Sequence, residues 1–534
     1  MSSAQSVLQL VVLLLSLVLT LGTFARRLPV PYPIVLVLGG LAMSFVPGLP
    51  EAPLGPELIF TIFLPPVLWA AAFESDLRQL RRSAMPIASL AVGLVVVTTI
   101  AVAWVAHLTL PGIAWSSAFI LGAVVSSTDA VAATAVARRL GIPRKLIAQL
   151  EGESLLNDAS ALVLYTAAVT ARVTGEFSVQ SALGDFVYDA VGGITVGIAV
   201  AYLLHFVSRL TRDSVANVAL TVLAAYISWI VGEKVGASAV LACVACGLTM
   251  RRHFLTSGSS ATRVQTAEVW ELLVFVLNGF IFVLLGLEWP RLAVDLPPGG
   301  VRDIALALAA VCATVILVRL AWLPIMTYGA RALMPSKRKG PLPPRGWMLL
   351  AGWTGMRGIV TLAAALAVPS VSVTGESLPY RGRIVIISFA VILVTLVLQG
   401  LTLAPLIRWL GLRDDGEGAR ELRLARRAAL DASVERLDVI KLSGPSDPHL
   451  VEMNRAFYSA RQARAQSLDG VDPEVAHASR VALASQRSEL IEAQRQAVIG
   501  LWQAGTITDQ TLADAEREID LEDLMFDARR NGSK

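Results

Sequence analysis

Acidic residues inside apolar segments are the part of this sequence that could do chemistry. Glu153 and Asp158 lie within a hydrophobic segment that runs from about Leu146 to Ala171. Asp129 lies within the preceding segment, from about Ile113 to Ala137. An ionised carboxylate at the centre of a bilayer costs about 2.5 to 3.5 kcal/mol on insertion scales, so acids of this kind are candidate sites for an ion or a proton.

A basic residue lies in another apolar segment. Arg357 is embedded in the stretch Gly352–Gly358, which also contains Gly355. Glycine in a membrane helix allows close packing, or a break that exposes backbone carbonyls to a cavity. Because isolated charges are costly in lipid, we expect the acids and this arginine to share one polar site.

Helical spacing decides which of these side chains can meet. Ser154 and Asp158 are four positions apart and share one face of a helix. Glu153 and Asn157 form a second pair, about 100° round the same helix axis. One face can therefore bind an ion, while the other can hold the neighbouring helices in place around it.

The composition indicates what surrounds these charges. Of 534 residues, 55% are hydrophobic and 16% are charged, and the mean hydropathy is +0.64. Such a chain is too apolar for a soluble protein, and it repeats runs of about 20 apolar residues, the length that spans a bilayer. We therefore predict an all-α polytopic membrane protein with about thirteen transmembrane helices. They begin near residues 6, 30, 57, 85, 113, 146, 182, 214, 235, 267, 303, 346 and 384.

The number of spans fits an internal repeat. Six spans, a linker span and six more would place the fifth and twelfth spans, which contain Asp129 and Arg357, at corresponding positions. Many secondary transporters build their ion sites from two broken helices related in this way. The sequence therefore favours a 6+6 inverted repeat.

Arginine and lysine residues predict the orientation of the spans. They concentrate in the loops after odd-numbered spans, for example Arg78–Arg82 and Arg138–Lys145. The positive-inside rule then puts the N-terminus outside and the C-terminal tail in the cytoplasm. The formal net charge of +4 reflects these loops and the tail, so it does not indicate a nucleic-acid partner.

A change in composition near residue 412 divides the chain. Residues 1–412 form the predicted transmembrane domain, and the polar residues 413–534 form a cytoplasmic helical domain. Within this tail, apolar positions at helical spacing predict amphipathic helices at Ala419–Lys441, Pro473–Gln503 and Asp509–Arg529. We expect the tail to stabilise a dimer or to regulate the membrane domain.

The motifs around these charges resemble those of the monovalent cation:proton antiporter 1 family, which contains bacterial and animal sodium/proton exchangers. Gly152–Asp158, with the sequence Gly-Glu-Ser-Leu-Leu-Asn-Asp, is close to the family's signature. Thr128-Asp129 fits its fifth-helix motif, and Gly355–Gly358 fits its glycine-rich arginine motif. The resemblance covers roughly residues 6 to 410. It implies a homodimer of thirteen-helix protomers in the bacterial plasma membrane, in which helices 5 and 12 unwind and cross beside helix 6.

The resemblance also implies roles for the oxygen-bearing residues of these motifs. Asp158 would be the carboxylate for which cation and proton compete. Asp129, Ser154 and the backbone carbonyl of Thr128 would complete the cation shell, and hard oxygen ligands of this kind suit alkali cations. No cofactor is expected besides the transported Na⁺ and H⁺.

Further residues would hold this site in place. By the same resemblance, Asn157 orients the ligands, and Glu153 pairs with Arg357 to hold the helices together. Asn157 also stands where electrogenic relatives have a second aspartate, which implies one proton per cation and an electroneutral exchange. Arg319, within the eleventh span, has no partner that the sequence identifies.

The function implied is antiport of Na⁺, and also of Li⁺, against protons by alternating access, with no enzymatic activity. A K⁺/H⁺ antiporter on the same scaffold is the main alternative, because cation choice depends on cavity geometry that a sequence does not show. A passive cation channel would need carbonyl or charged-ring filters around a pore, and the sequence shows no such pattern. An intramembrane hydrolase would need a nucleophile with its base, and a pump would need an ATP-binding motif. The sequence shows neither pattern.

Overall fold

The computed structural model describes most of the predicted membrane domain and part of the tail. The described residues are 3–25, 27–28, 30–46, 59–175, 179–211, 213–257, 260–294, 301–333, 342–369, 380–412, 414–442 and 447–467, followed by 490–501, 503–504, 511–512, 515 and 518–519. The regular elements in these ranges are all helical, and no strand occurs among them. The predicted all-α class is confirmed.

The helices are numbered here in chain order. Two of them, α3 and α6, follow directly on short π-helical stretches, at Ile59–Phe63 and Ser89–Leu94 respectively. The α-helices are α1 (Ser3–Ala25), α2 (Tyr32–Met43), α3 (Leu64–Glu74), α4 (Leu77–Arg82), α5 (Ala84–Ala88), α6 (Val95–Thr109), α7 (Trp115–Ser126), α8 (Val131–Arg139), α9 (Arg144–Thr174), α10 (Val179–Leu210), α11 (Ser214–Val235), α12 (Ala239–Ser257), α13 (Ser260–Val294), α14 (Val301–Leu333), α15 (Arg345–Trp353), α16 (Ile359–Leu366), α17 (Arg381–Trp409), α18 (Glu417–Leu442) and α19 (Pro448–Ser467).

The membrane character of the chain rests on long apolar helices. Within the described residues, 7 helical segments are long and apolar enough to cross a membrane, and the chain is a multi-pass membrane protein. The exact number of thirteen spans and the inverted repeat stay predictions. The segments are Ala84–Thr109, Trp115–Arg139, Leu183–Leu210, Ser214–Val235, Thr262–Glu288, Arg302–Gly329 and Arg381–Trp409, and shorter apolar helices lie at Val11–Ala25, Tyr32–Met43 and Phe60–Glu74.

Two helical segments are interrupted where the polar motifs lie. The first break separates α7, which ends at Ser126, from α8, which begins at Val131. Serine and threonine hydroxyls compete with the backbone for hydrogen bonds, and Ser126 does so by donating to the Ala123 carbonyl at 2.8 Å. The second break separates α15 from α16 over residues 354–358, which include two glycines. Both predicted breaks are present.

The long helix α9 runs unbroken beside these interruptions and carries the central acids. Its Gly152 faces α4 and α5, and a Cβ placed there would lie 2.6 Å from side-chain carbons of both Leu80 and Ile87. Only glycine allows the short helices to pack this closely on α9. Gly152, which opens the polar motif, therefore has a packing role in the structure.

The chain divides into two compact units, Met1–Asp414 and Asp415–Lys534. In the second unit, α18 covers the helix predicted at Ala419–Lys441. The helix predicted at Pro473–Gln503 is described only from residue 490 onwards, where it is helical. The helix predicted at Asp509–Arg529 lies almost entirely outside the described residues.

Helix α19 was missed by the periodicity of the sequence. It begins at Pro448, and the side chain of Asp447 accepts a hydrogen bond from the His449 amide at 2.9 Å. An aspartate cap followed by proline in the first turn is a helix-start signal that periodicity does not detect. Two ion pairs show that α19 runs antiparallel to α18. Arg455 pairs with Asp438 at 2.5 Å, and Glu452, one turn earlier in α19, pairs with Lys441, one turn later in α18, at 3.4 Å.

Candidate functional site

The two broken helices meet at Asp129. Its backbone amide donates to the Met356 carbonyl at 2.7 Å, and its Oδ1 accepts from the amide of Val131 at 2.8 Å. A Cβ on Gly358 would lie 2.5 Å from the Cβ of Asp129, so the close approach of the two breaks requires glycine at that position. The carboxylate also lies within reach of the Ile359 amide.

Asp129 therefore lies at the N-termini of two half-helices. Val131 is the first residue of α8, and Ile359 is the first residue of α16. Free amides and the positive ends of helix dipoles favour a negative charge at such a point. The amides of Val131 and Ile359 thus hold the Asp129 carboxylate where the two breaks meet.

Helix α9 presents its polar face to the first break. Asp158 is 6% exposed and accepts a hydrogen bond from the hydroxyl of Ser127. One turn earlier, the hydroxyl of Ser154 accepts from the Ala130 amide at 3.2 Å. The predicted shared face of Ser154 and Asp158 is thus directed at residues 127–130. Ser127 was not among the predicted site residues, although it lies in the same polar run as Thr128 and Asp129.

Thr128 and Asn157 lie behind this face. The Nδ2 of Asn157 donates to the Thr128 carbonyl at 3.0 Å and to its hydroxyl at 2.7 Å. The Thr128 carbonyl, predicted as a cation ligand, thus already has one donor, although a carbonyl oxygen keeps a second lone pair. Asn157 fixes the unwound backbone of the first break to α9.

The structure contradicts the predicted Glu153–Arg357 ion pair. Both carboxylate oxygens of Glu153 accept from the guanidinium of Arg319, with Nη2 at 2.8 Å, and the two residues are 2% and 1% exposed. Thr128 donates to the same carboxylate at 3.0 Å. The partner comes from α14, whose Arg319 side chain reaches the carboxylate on α9, a relation that the sequence does not show.

Arg357 has a different role in the structure. Its Nε donates to the Val125 carbonyl at 2.9 Å, and its Nη1 donates to the Gly355 carbonyl. Val125 lies in the last turn of α7, where backbone carbonyls lack helical partners and the dipole is negative. Arg357 therefore caps the C-terminal end of one half-helix.

The same arrangement recurs at the second break. The Nε of Arg319 donates to the Ala351 carbonyl at 3.0 Å, in the last turn of α15. A Cβ on Gly355 would lie 2.6 Å from the Cδ of Arg319 and 3.2 Å from the Nη1 of Arg357. Buried arginines thus cap the two C-terminal ends, whereas Asp129 lies at the two N-terminal ends. The charges in the crossing are matched to the helix termini that they contact.

A cavity of about 490 Å³ reaches this crossing from one side of the protein. Asp158, Asp129 and Ser154 line it, whereas Thr128 and Asn157 do not. Charged residues line its other end, among them Arg138 and Glu151, which form an ion pair at 2.6 Å. Three of the predicted cation-shell residues therefore share one accessible space.

A separate cavity lies further along α9, towards its C-terminus. It has a volume of about 510 Å³ and is lined by Ala159, which follows Asp158 in α9. Its lining also includes Asp189 and Glu233, from α10 and α11. The segment around Asp158 thus stands between two spaces.

Two crossed broken helices with a buried acid between two cavities define the protein as a membrane-embedded secondary transporter of a small cation. Residues 12–409 match the family described as "Sodium/hydrogen exchanger, transmembrane". The chain belongs to this sodium/hydrogen exchanger family of monovalent cation:proton antiporters. The family is one of transporters, not of enzymes.

Two bacterial relatives resemble nearly the whole chain, and a third resembles a shorter part of it. It is 30% identical to the uncharacterised Na⁺/H⁺ exchanger YjcE of Escherichia coli, over 96% of this chain and 97% of that protein. An uncharacterised Na⁺/H⁺ exchanger of Mycobacterium tuberculosis is also 30% identical, over 97% of this chain and 96% of that protein. The "sodium, potassium, lithium and rubidium/H⁺ antiporter" of Bacillus subtilis is 32% identical over 74% of this chain and 60% of that protein.

A solved structure supports the fold. The sodium proton antiporter MjNhaP1 of Methanocaldococcus jannaschii aligns with a TM-score of 0.58 at 21% identity, over 75% of this chain and all of that one. At this identity the likeness concerns the fold alone.

Proposed function

We propose that the protein exchanges Na⁺, and also Li⁺, for H⁺ across the bacterial plasma membrane, and that Asp158 binds either the cation or the proton. The observation that carries this proposal is the position of Asp158, which is buried at the crossing, accepts from a hydroxyl and shares a cavity with Asp129 and Ser154. Only the ionised carboxylate attracts a cation, and protonation removes that charge. Binding of one substrate therefore releases the other.

Residues Ser154, Asp129 and Thr128 complete the proposed cation shell. Ser154 and Asp129 line the cavity with Asp158, and the Thr128 carbonyl would contribute its second lone pair after a small rotation of the unwound backbone. Oxygen donors of this kind suit alkali cations. No cofactor is required, since the cation and the proton are themselves the substrates.

We infer an electroneutral exchange of one cation for one proton. Asn157 occupies the position next to Asp158, and its amide is hydrogen-bonded to Thr128. An amide does not titrate, so Asp158 alone changes protonation at this point of α9. A membrane potential would then not drive the exchange.

Alternating access follows from the two cavities. Under the positive-inside orientation, with the N-terminus outside, the 490 Å³ cavity opens to the cytoplasm and the 510 Å³ cavity to the outside. A shift of the crossing and α9 against the remaining helices would expose Asp158 to the 510 Å³ cavity.

We further propose that the protein has thirteen spans in a 6+6 repeat and forms a homodimer in the bilayer. Residues 1–412 would form the transport domain, and residues 413–534 would form a cytoplasmic tail that stabilises the dimer or regulates transport.

A K⁺/H⁺ antiporter is the second candidate. The Bacillus subtilis relative is named for sodium, potassium, lithium and rubidium, so this scaffold is compatible with larger cations. A passive channel is less well supported, because Asp158 is enclosed between separate spaces and not along an open pore.

The test is dissipation of an imposed pH gradient in proteoliposomes. Sodium, lithium and potassium are added in turn, with and without a clamped membrane potential. We expect sodium and lithium to dissipate the pH gradient to the same extent with and without the clamped membrane potential. A response to potassium alone would assign the protein to the second candidate, and cation flux without proton movement would show a channel.

A further inference from the structure

Asn278 is a buried polar residue that the proposed exchange does not use. It lies on α13, is 2% exposed and lines the 490 Å³ cavity together with Asp129 and Asp158. Its amide oxygen accepts no hydrogen bond from any residue that the structure describes. A buried acceptor without a donor costs free energy unless a ligand or an ion binds to it.

The cavity has two walls. The site-bearing wall consists of α8, α9 and residues 358–360, and the opposite wall consists of α2, α3 and α13. On α13, Glu271, Val274 and Asn278 are spaced by three and four positions, so they form one stripe along the cavity. Glu271 is exposed and Asn278 is buried. The stripe thus runs from the solvent-exposed Glu271 into the part of the protein where Asp129 and Asp158 line the cavity.

The amide oxygen of Asn278 has the chemistry of a cation ligand. Amide oxygens belong to the hard oxygen ligands that group 1 and group 2 cations accept. A rotation about the last torsion of the side chain exchanges the oxygen with the nitrogen, so the oxygen can turn into the cavity without a backbone change. The amide is also hydrogen-bonded to the hydroxyl of Tyr32, which lines the same cavity.

We propose that Asn278 is a cation ligand on the opposite wall, which binds the alkali cation together with Asp158 while the cavity is open on this side. The proposal rests on the proposed antiport function. Because α13 does not carry the crossing, the contact is lost when Asp158 turns to the second cavity. Asn278 therefore favours cation binding from one face of the membrane only.

The experiment measures the apparent KM for sodium separately from each face, in everted and in right-side-out vesicles. Asn278→Leu keeps the volume and removes the ligand. It should raise KM about fivefold on the cytoplasmic face, the change expected from loss of one neutral oxygen contact, with little change in kcat or in the external KM. Asn278→Asp retains an oxygen at this position and should keep KM at or below the wild-type value.

A matched control lies on the same helix. Thr266 is 1% exposed and its hydroxyl also lacks a partner among the described residues, but it does not line the cavity. Thr266→Val should leave KM unchanged on both faces. Equal rises of KM on both faces, an unchanged KM in Asn278→Leu, or equal effects of Leu and Asp would overturn the proposal. Absence of sodium-dependent proton movement in the wild-type protein would instead refute the proposed function itself.

Discussion

At the scale of single residues, the two buried acids at the crossing differ in what holds them. Asp129 accepts from the backbone of α8 and lies at two helix N-termini, so its charge has a structural use. Asp158 accepts from the hydroxyl of Ser127, which can also rotate to accept from a protonated acid. Asp158 can therefore change protonation without the loss of a helix cap, which suits a residue that alternates between cation and proton.

Asp158→Asn should abolish exchange while the protein still folds. Asparagine keeps the shape and the contact with Ser127, but it removes the titrating charge. Because a buried charge is replaced by a neutral amide, the unfolding temperature in detergent should be equal to or above that of the wild type. Proteoliposome exchange and thermal unfolding of the same preparation check both expectations.

The control for this variant is Asp185→Asn, which changes an exposed acid of α10 that lines neither cavity. Exchange by this variant should equal that of the wild type. Proton-coupled cation transport by Asp158→Asn would contradict the assignment of Asp158 as the shared binding residue.

The buried pair between Arg319 and Glu153 has a different energetic role. Arg319→Met leaves Glu153 as an uncompensated buried charge, which should lower the free energy of unfolding by about 3 to 5 kcal/mol. The double variant with Glu153→Gln should recover most of this loss, because no unpaired charge remains. The free energies of unfolding of the single and the double variant, measured in the same detergent as the wild type, check both expectations.

Arg138→Gln serves as the comparison for an exposed pair. Its side chain is 58% exposed and its bond with Glu151 is screened by solvent, so the loss should be about 0 to 1 kcal/mol. An equally small loss in Arg319→Met would show that the buried pair does not support the crossing.

At the scale of elements, the contact between the two breaks depends on Gly358. A Cβ at this position would lie 2.6 Å from the Cγ of Asp129, so Gly358→Ala must push the breaks apart. We expect a loss of about 1 to 3 kcal/mol in stability from overpacking, and a loss of exchange because Asp129 and Asp158 no longer share the cavity.

Gly329→Ala is the matched control in α14. No atom lies within 4 Å of a Cβ at this position, and alanine favours a helix by about 0.5 to 1 kcal/mol over glycine. This variant should exchange normally and unfold at an equal or higher temperature. Full exchange by Gly358→Ala would contradict the close contact of the breaks.

At the scale of the whole molecule, the two cavities predict opposite accessibility. Ala135 lines the 490 Å³ cavity and Val163 lines the 510 Å³ cavity. The native cysteines at 243, 246 and 312 are buried, so they should react little with the labelling reagent. With a membrane-impermeant thiol reagent, Ala135→Cys should react from the cytoplasm and Val163→Cys from the outside. Reaction of both from the same face would contradict the proposed orientation of the cavities.

Much of this arrangement is predictable from local sequence. The spacing of Ser154 and Asp158 puts them on one face of α9 whatever the surrounding helices do. The glycines around Arg357 indicate the second break, because glycine favours non-helical backbone. The break at Asp129 was expected from the resemblance of its motif to those of the family. The membrane class follows from composition alone.

The partners across helices were decided by the tertiary structure. The sequence contains both Arg319 and Arg357, and only the packing of the helices places Arg319 as the partner of Glu153. The exposure of Asn278 to the same cavity as Asp158 depends likewise on the packing of α13. Short-range spacing is set by helix geometry and can be read from the sequence. Contacts between residues more than a hundred positions apart depend on how whole helices pack, and no local pattern encodes that packing.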